Sequence, residues 1–294
     1  ILSEKSFNLY SCIVSVLLSN NIWIPISASL PTDRLKKIFS LINPDVIFCD
    51  KENLSKISKI KNLSLKDKIF ILDNIKIKKS YSTSDINKND FTHQDDDLAM
   101  IFFTSGSTGD PKGVPIKQKN FLPSFYAQYN KIYKSKDNLV FADFHDCSFV
   151  ISLNILLPCV YTQSIICPAI KTYDYLKPLS HIKENKINVL ITVPSFINQI
   201  KNFTLDNVKK INLSILILCG ETFYLQTLKY IFSYIKSIDT YNCYGSTELS
   251  PWVFLHTCKK SDLINFKKEG LVPIGNKFAF SELKIKNNQL LISG

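Results

Sequence analysis

Phe102-Phe103-Thr104-Ser105-Gly106-Ser107-Thr108-Gly109-Asp110-Pro111-Lys112-Gly113-Val114 packs three glycines, four hydroxyl side chains and one lysine into a short stretch. It follows an apolar, strand-like run from Leu98 to Phe103. Glycine lets the backbone take positive φ and come close to a ligand. Successive N–H groups in such a turn converge into an anion-binding nest. The hydroxyls add donors and Lys112 adds a point charge, so a polyphosphate is the natural guest. The plain alternative is a surface linker, but linkers rarely gather Gly, Ser/Thr and Lys so densely behind a buried strand. A P-loop needs G-x-x-x-x-G-K-[ST] with the lysine opening a helix. Lys112 instead lies between Pro111 and Gly113, so that motif fails on spacing.

Working outward, apolar runs alternate with helical patterns. Helices are expected over 8–20, 31–42, 117–129, 148–157, 173–185 (disturbed by Pro178) and 223–234, with a short one between 49 and 69. Strands are expected over 22–26, 46–49, 69–72, 98–104, 139–144, 164–167, 189–193, 213–219 and 238–241. The polar stretch 74–97 reads as a long surface connection, and 283–293 as a hairpin turning at Asn287-Asn288. Alternation of this kind implies an α/β fold with mostly parallel sheets and helices on both faces.

The 294 residues suit one large domain or two small ones. An apolar fraction of 45% excludes disorder. The net charge of +11 is spread over scattered lysines without interleaved aromatics, which argues for a solvated basic surface and against a nucleic-acid site. None of the eight cysteines forms a C-x-x-C pair and no His cluster accompanies them, which argues against zinc. Buried free thiols in a reducing cytoplasm are expected. Residues 147–170 carry no charge, but Pro158 splits them into a helix-length and a strand-length piece, so a buried helix and strand are expected rather than a membrane span.

Two further glycine loops follow strands: Leu218-Cys219-Gly220-Glu221-Thr222 and Asn242-Cys243-Tyr244-Gly245-Ser246-Thr247-Glu248. Ligands of open parallel sheets sit beyond the carboxyl ends of strands, so these loops and the hydroxyl-rich one are expected to serve one cleft. Tyr244 can stack on a base, Asn242 can read a base edge, Thr247 can donate to a phosphate and Glu248 can hold Mg²⁺. Tyr244 as core and Glu248 as a helix cap are the plain alternatives.

The Thr104–Gly113 and Tyr244–Glu248 loops resemble signatures of the adenylate-forming superfamily, which includes acyl-CoA synthetases, luciferases and nonribosomal peptide synthetase adenylation domains. Ile22–Arg34, Thr192–Ser195 and Gly220-Glu221 are similar to further landmarks, so the resemblance covers the whole chain. It implies two mostly parallel β-sheet lobes flanked by helices, with the start of a small antiparallel β-barrel at the C-terminal end. Residues 1–294 would be an incomplete N-terminal adenylation core, cut at both ends and lacking the family's mobile C-terminal domain. The resemblance puts Thr104, Ser105, Gly106, Ser107, Thr108, Gly109 and Lys112 at the pyrophosphate end of ATP. Gly220, Glu221 and Thr222 would border the adenine, with Asn242 on its edge, Tyr244 on its face, and Gly245 and Ser246 completing the loop. Ser246 stands where many relatives have proline. Thr247 would touch the α-phosphate, Glu248 would bind Mg²⁺, and Lys112, Thr247 and Glu248 would carry the chemistry.

Phe144-His145-Asp146-Cys147-Ser148 resembles the F-D-x-S segment of amino-acid activators, where the aspartate pairs with the substrate ammonium. A helix N-cap is the alternative role for Asp146. Leu218–Glu221 and the surroundings of Asp146 look most like the D-alanine carrier-protein ligases. Cys219, Cys243, Pro251 and Trp252 would then bound a small side-chain pocket. The expected activity is ATP- and Mg²⁺-dependent formation of an aminoacyl adenylate, for transfer to a carrier-protein phosphopantetheine thiol. The alternatives are an acyl- or aryl-CoA synthetase and a non-catalytic nucleotide-binding fragment, with poor turnover by the isolated piece. No nucleic-acid partner is expected.

Overall fold

The computed structural model describes residues 1–60, 68–76, 93–105, 109–200, 211–235, 237–249, 252–277, 282–287 and 289–293. Contacts divide the chain into two compact units, one of Ile1–Lys119 with Asp146–Phe149, the other of Asn120–His145 with Val150–Gly294.

In the first unit, helix α1 (Phe7–Leu18) is capped by the Ser6 hydroxyl, which accepts from Leu9 N at 3.1 Å. Helix α2 (Thr32–Ile42) starts after Pro31, whose fixed φ favours an extended entry, and stops at Asn43 in the left-handed region. Strand β1 (Ile47–Cys49), helix α3 (Lys51–Ser58) and strand β2 (Ile69–Ile71) follow, and β1 and β2 pair in parallel. Leu35, Ile38 and Phe39 of α2 pack with Ile47 and Ile57 in one buried cluster. Strand β3 (Leu98–Ser105) continues, beyond the turn, into β4 (Pro111–Lys117), and the two pair antiparallel. The expected strand at 22–26 is represented by extended backbone at Trp23, which bridges Met100 of β3 in parallel.

The second unit holds a seven-stranded sheet. Helix α4 (Gln118–Gln128) begins at the boundary and runs into a π-helical turn at Tyr129–Tyr133. Then come β5 (Val140–Asp143), α5 (Leu153–Tyr161), β6 (Ile165–Pro168), α6 (Thr172–Leu176), α7 (Pro178–Glu184), β7 (Val189–Thr192) and α8 (Pro194–Ile200). They are followed by β8 (Ile215–Leu218), α9 (Leu225–Tyr234), β9 (Asp239–Tyr244), β10 (Phe254–Thr257), α10 (Asp262–Asn265) and β11 (Asn276–Lys277). The strand order is β11-β10-β9-β8-β7-β5-β6, parallel from β6 through β9 and antiparallel at β10 and β11. Every residue of β7 and β8 is buried. Leu190, Leu216 and Leu218 face one apolar cluster, while Val189, Ile191, Ile215 and Ile217 face another. That alternation is what a strand covered on both sides requires. β12 (Glu282–Lys286) and β13 (Gln289–Ser293) form the expected hairpin.

Three expectations change. β4 occupies residues assigned in part to a loop; Pro111, Gly113 and Pro115 disguise it, and it pairs on one side with β3 alone. The helix expected over 148–157 starts and ends later: a 3₁₀ turn covers Val150–Ser152, and α5 runs from Leu153 through Pro158 to Tyr161. Pro178 does more than disturb the helix expected over 173–185: it opens a second one as the N1 residue of α7. Most of the 74–97 connection, and Asn288 of the hairpin turn, lie outside the described residues. Among the described residues no helix is long and apolar enough to cross a membrane.

Candidate functional site

The hydroxyl-rich stretch links the antiparallel strands β3 and β4. Cross-strand pairs Thr104–Lys112 and Ser105–Pro111 close its base. Gly106, Ser107 and Thr108 lie outside the described residues. Gly109 has φ +83°, a conformation L side chains rarely adopt, which explains glycine there. Its carbonyl accepts from Arg34 Nη1 at 3.3 Å, and Asp110 pairs with Lys37 at 2.5 Å. Helix α2 therefore contacts Gly109 and Asp110 through two of its side chains. Lys112 is exposed. Gly113 is tightly packed: a Cβ there would meet the Ile101 side chain at 3.2 Å, which would have to shift by a few tenths of an ångström.

Asp146 belongs to the same unit. Its Oδ2 accepts from Ser27 Oγ at 2.6 Å and its Oδ1 accepts from Ser148 N at 2.8 Å. The second contact closes a turn over 146–149 and is not the helix N-cap that was the alternative role, because helical structure begins only at Val150 and α5 at Leu153. An ionised carboxylate offers about four acceptor positions, so two hydrogen bonds leave capacity for a cation. Ser27 was missed by sequence reasoning, and nothing local announces it, because it lies 119 residues from its partner.

In the second unit, Thr192, Leu218 and Asn242 are register partners, so β7 and β8 end at one level of the sheet while β9 runs two residues further, to Tyr244. Beyond β8, Cys219 N donates to Thr192 O at 3.1 Å and Gly220 turns at φ +80°. Glu221 then reaches across to α8, where its carboxylate accepts from both Ser195 N and Ser195 Oγ at 2.9 Å. Gly220, Glu221 and Thr222 are all exposed. Beyond β9, Tyr244 is 43% exposed with its ring edge-on to Phe254 at 6.0 Å. Gly245 and Ser246 lead into a 3₁₀ turn, Thr247–Leu249, on which Glu248 is exposed.

Three predicted residues are more enclosed than their assigned roles require. Asn242 is 4% exposed, and its Nδ2 donates to Val272 O at 3.3 Å and Pro273 O at 2.9 Å. Its amide nitrogen thus ties the end of β9 to the 272–273 segment. Cys219 and Cys243 belong to the core cluster that includes Trp252. Burial pushes the Cys219 thiol up to about 12, opposed by a hydrogen bond from Trp252, and burial pushes Cys243 well above the usual thiol range. These are neutral hydrophobes, as expected of buried free cysteines. Trp252 is held in turn by its carbonyl, which accepts from Ser124 Oγ at 3.0 Å. Pro251 lies outside the described residues. A cavity of about 790 Å³ in the first unit, walled by α1 and by Ile42, Phe48 and Phe70, includes none of the predicted site residues.

Comparison with known proteins adds sequence and fold relationships to this geometry. The D-alanine--D-alanyl carrier protein ligase of Listeria welshimeri is 30% identical over 238 residues, covering 78% of this chain and 44% of that protein. The Staphylococcus aureus protein of the same name is 27% identical over 229 residues, covering 77% and 44%. The chain therefore spans less than half the length of these curated relatives. The Vibrio cholerae adenylation domain AlmE, solved in complex with glycyl-adenosine-5'-phosphate, superposes with a TM-score of 0.81 at 19% identity, over 99% of this chain and 58% of that one. IdnL7 superposes with a TM-score of 0.80 at 18% identity, over 99% and 59%. At such identities the two structures establish the fold. The AMP-binding enzyme family model matches residues 1–291, and the chain belongs to that family.

Proposed function

We propose that the protein containing this chain is an adenylate-forming ligase that activates a small amino acid with ATP and passes it to a carrier-protein phosphopantetheine thiol. Residues 1–294 would be its N-terminal adenylation core, with β12–β13 opening the small antiparallel barrel. The observation that carries the amino-acid part is Asp146, a carboxylate held by Ser27 and Ser148 with acceptor capacity to spare. A partly buried carboxylate with neutral partners gains a physical reason from an ammonium ligand. The names of the relatives in Listeria and Staphylococcus support the same class.

In this reading Thr104, Ser105, Ser107, Thr108 and Lys112 bind phosphate oxygens. Gly220, Glu221 and Thr222 border the base, Tyr244 covers its face, and Thr247 meets the α-phosphate. The substrate carboxylate attacks the α-phosphorus, the bond to the bridging oxygen breaks, and pyrophosphate leaves with the electron pair. Such a step needs positioning and charge neutralisation more than a protein nucleophile. Glu248 fits Mg²⁺, since that ion keeps several waters and takes one or two carboxylates beside substrate phosphates. When bound it would neutralise phosphate charge. The thiol acceptor then attacks the acyl carbon and AMP departs. The eight free thiols support a reducing compartment, the cytoplasm.

The test is ATP–pyrophosphate exchange on the longest expressible form of the protein, with small D- and L-amino acids beside simple fatty and aryl acids. Exchange driven by a small amino acid supports the proposal. Exchange driven by the acids lacking an amine refutes it in favour of a CoA synthetase.

A further inference from the structure

We propose that His256, Cys258 and Asp262 form a zinc site behind the strand that carries Asn242 and Tyr244. One ligand atom from each side chain lies within 4.8 Å of the other two, and Cys258 and Asp262 are buried while His256 is half-buried. His256 is on β10, Cys258 follows the end of that strand, and Asp262 is the first residue of α10. The spacing is H-x-C-x-x-x-D, which a search for paired cysteines or paired histidines passes over.

The chemistry of the set is selective. Thiolate, imidazole and carboxylate together suit Zn²⁺ better than Mg²⁺ or Ca²⁺, which take oxygen. With Zn–N about 2.0–2.1 Å and Zn–S about 2.3 Å, a tetrahedral ion separates its ligand atoms by about 3.4–3.6 Å. His256 Nε2 and Asp262 Oδ2 stand 2.8 Å apart, so this pair opens slightly to admit the ion and the sulfur swings in. The carboxylate is already oriented, because Asp262 Oδ2 accepts from Lys259 N at 2.8 Å, the kind of outer contact that steers metal ligands. A His–Asp hydrogen bond at a helix start is ordinary. A buried thiol converging on the same point is what that ordinary reading does not require. Three protein ligands leave a fourth position for water.

The site would fasten β10 to α10. His256 is the cross-strand partner of Asn242, so the ion would stiffen the strand pair from which the Tyr244 loop emerges.

Co²⁺ titration of the purified chain tests this, because a cobalt–thiolate bond produces a near-ultraviolet charge-transfer band. One equivalent of Co²⁺ should produce the band, Zn²⁺ should abolish it by displacement, and Zn²⁺ should raise the melting temperature. Cys258→Ser should lose the band, and His256→Gln should weaken Co²⁺ binding at least tenfold. Circular dichroism confirms folding of each variant; if Cys258→Ser does not fold, His256→Gln and Asp262→Asn decide. No band at excess Co²⁺ overturns the proposal. So does a band unchanged in the folded variants, since seven other cysteines would then be its source.

Discussion

Replacing Asp146 by asparagine separates its two roles. Asparagine is nearly isosteric. Its amide oxygen can still accept from Ser148 N, now 2.8 Å from Oδ1, and its NH₂ can donate to the Ser27 hydroxyl. The fold should therefore lose no more than one ordinary hydrogen bond, about 0.5–1.5 kcal/mol. An ammonium ligand would lose its counter-charge. Breaking a fully buried ion pair costs about 3–5 kcal/mol; Asp146 is only half-buried, so about 2–3 kcal/mol is the fitting figure. At about 1.4 kcal/mol per decade that is a rise of about 30–150-fold in KM for the amino acid. The assay is ATP–pyrophosphate exchange on the longest expressible form, with KM for ATP as the internal control and a thermal melt for folding. Asp146→Ala, which also removes the acceptor for Ser148 N, should lower the melting temperature further with a comparable KM defect. A folded Asp146→Asn protein whose amino-acid KM moves less than about threefold would refute the reasoning.

Arg34→Ala removes the hydrogen bond to the Gly109 carbonyl and should raise KM for ATP several-fold with little change in KM for the acid, read in the same exchange assay. Gly275→Ala should be strongly destabilising, because a Cβ there would fall 2.1 Å from Leu255 O at φ +87°; the melting temperature checks it, and a loss under 2 °C would count against the packing described. Ser195→Ala removes the hydroxyl contact to Glu221 and leaves the backbone N–H contact, so a loss near 1 kcal/mol in urea unfolding is expected. Burial raises the Cys219 thiol from 9.0 to about 12, so the folded state holds that proton more tightly than the unfolded state. This contribution to stability is complete below about pH 9 and is lost as pH rises from there toward 12, and alkaline unfolding followed by circular dichroism should start in that window.

The parts of the fold written in local pattern were readable from the residues. β7 and β8 are uninterrupted Val/Ile/Leu runs because both faces are covered, and α2 announces itself with proline at its start. β4 was not readable, since its prolines and glycine argue against a strand and only pairing with β3 makes it one. Two of the glycine loops stood out because turns at positive φ, at Gly109 and Gly220, restrict residue type. Ser27 and Glu221 did not stand out as supports, since each acts on a partner brought near by tertiary structure: Ser27 on Asp146, Glu221 on Ser195. The His256–Cys258–Asp262 cluster was hidden for the same reason, its third group arriving only when α10 folds back toward β10.

The common level at which β7 and β8 stop has an engineering consequence. Segments that leave a rigid platform at matched heights behave as interchangeable cassettes. Grafting the exposed 220–222 stretch from a relative should retune ligand preference while leaving the hydrophobic layers beneath untouched.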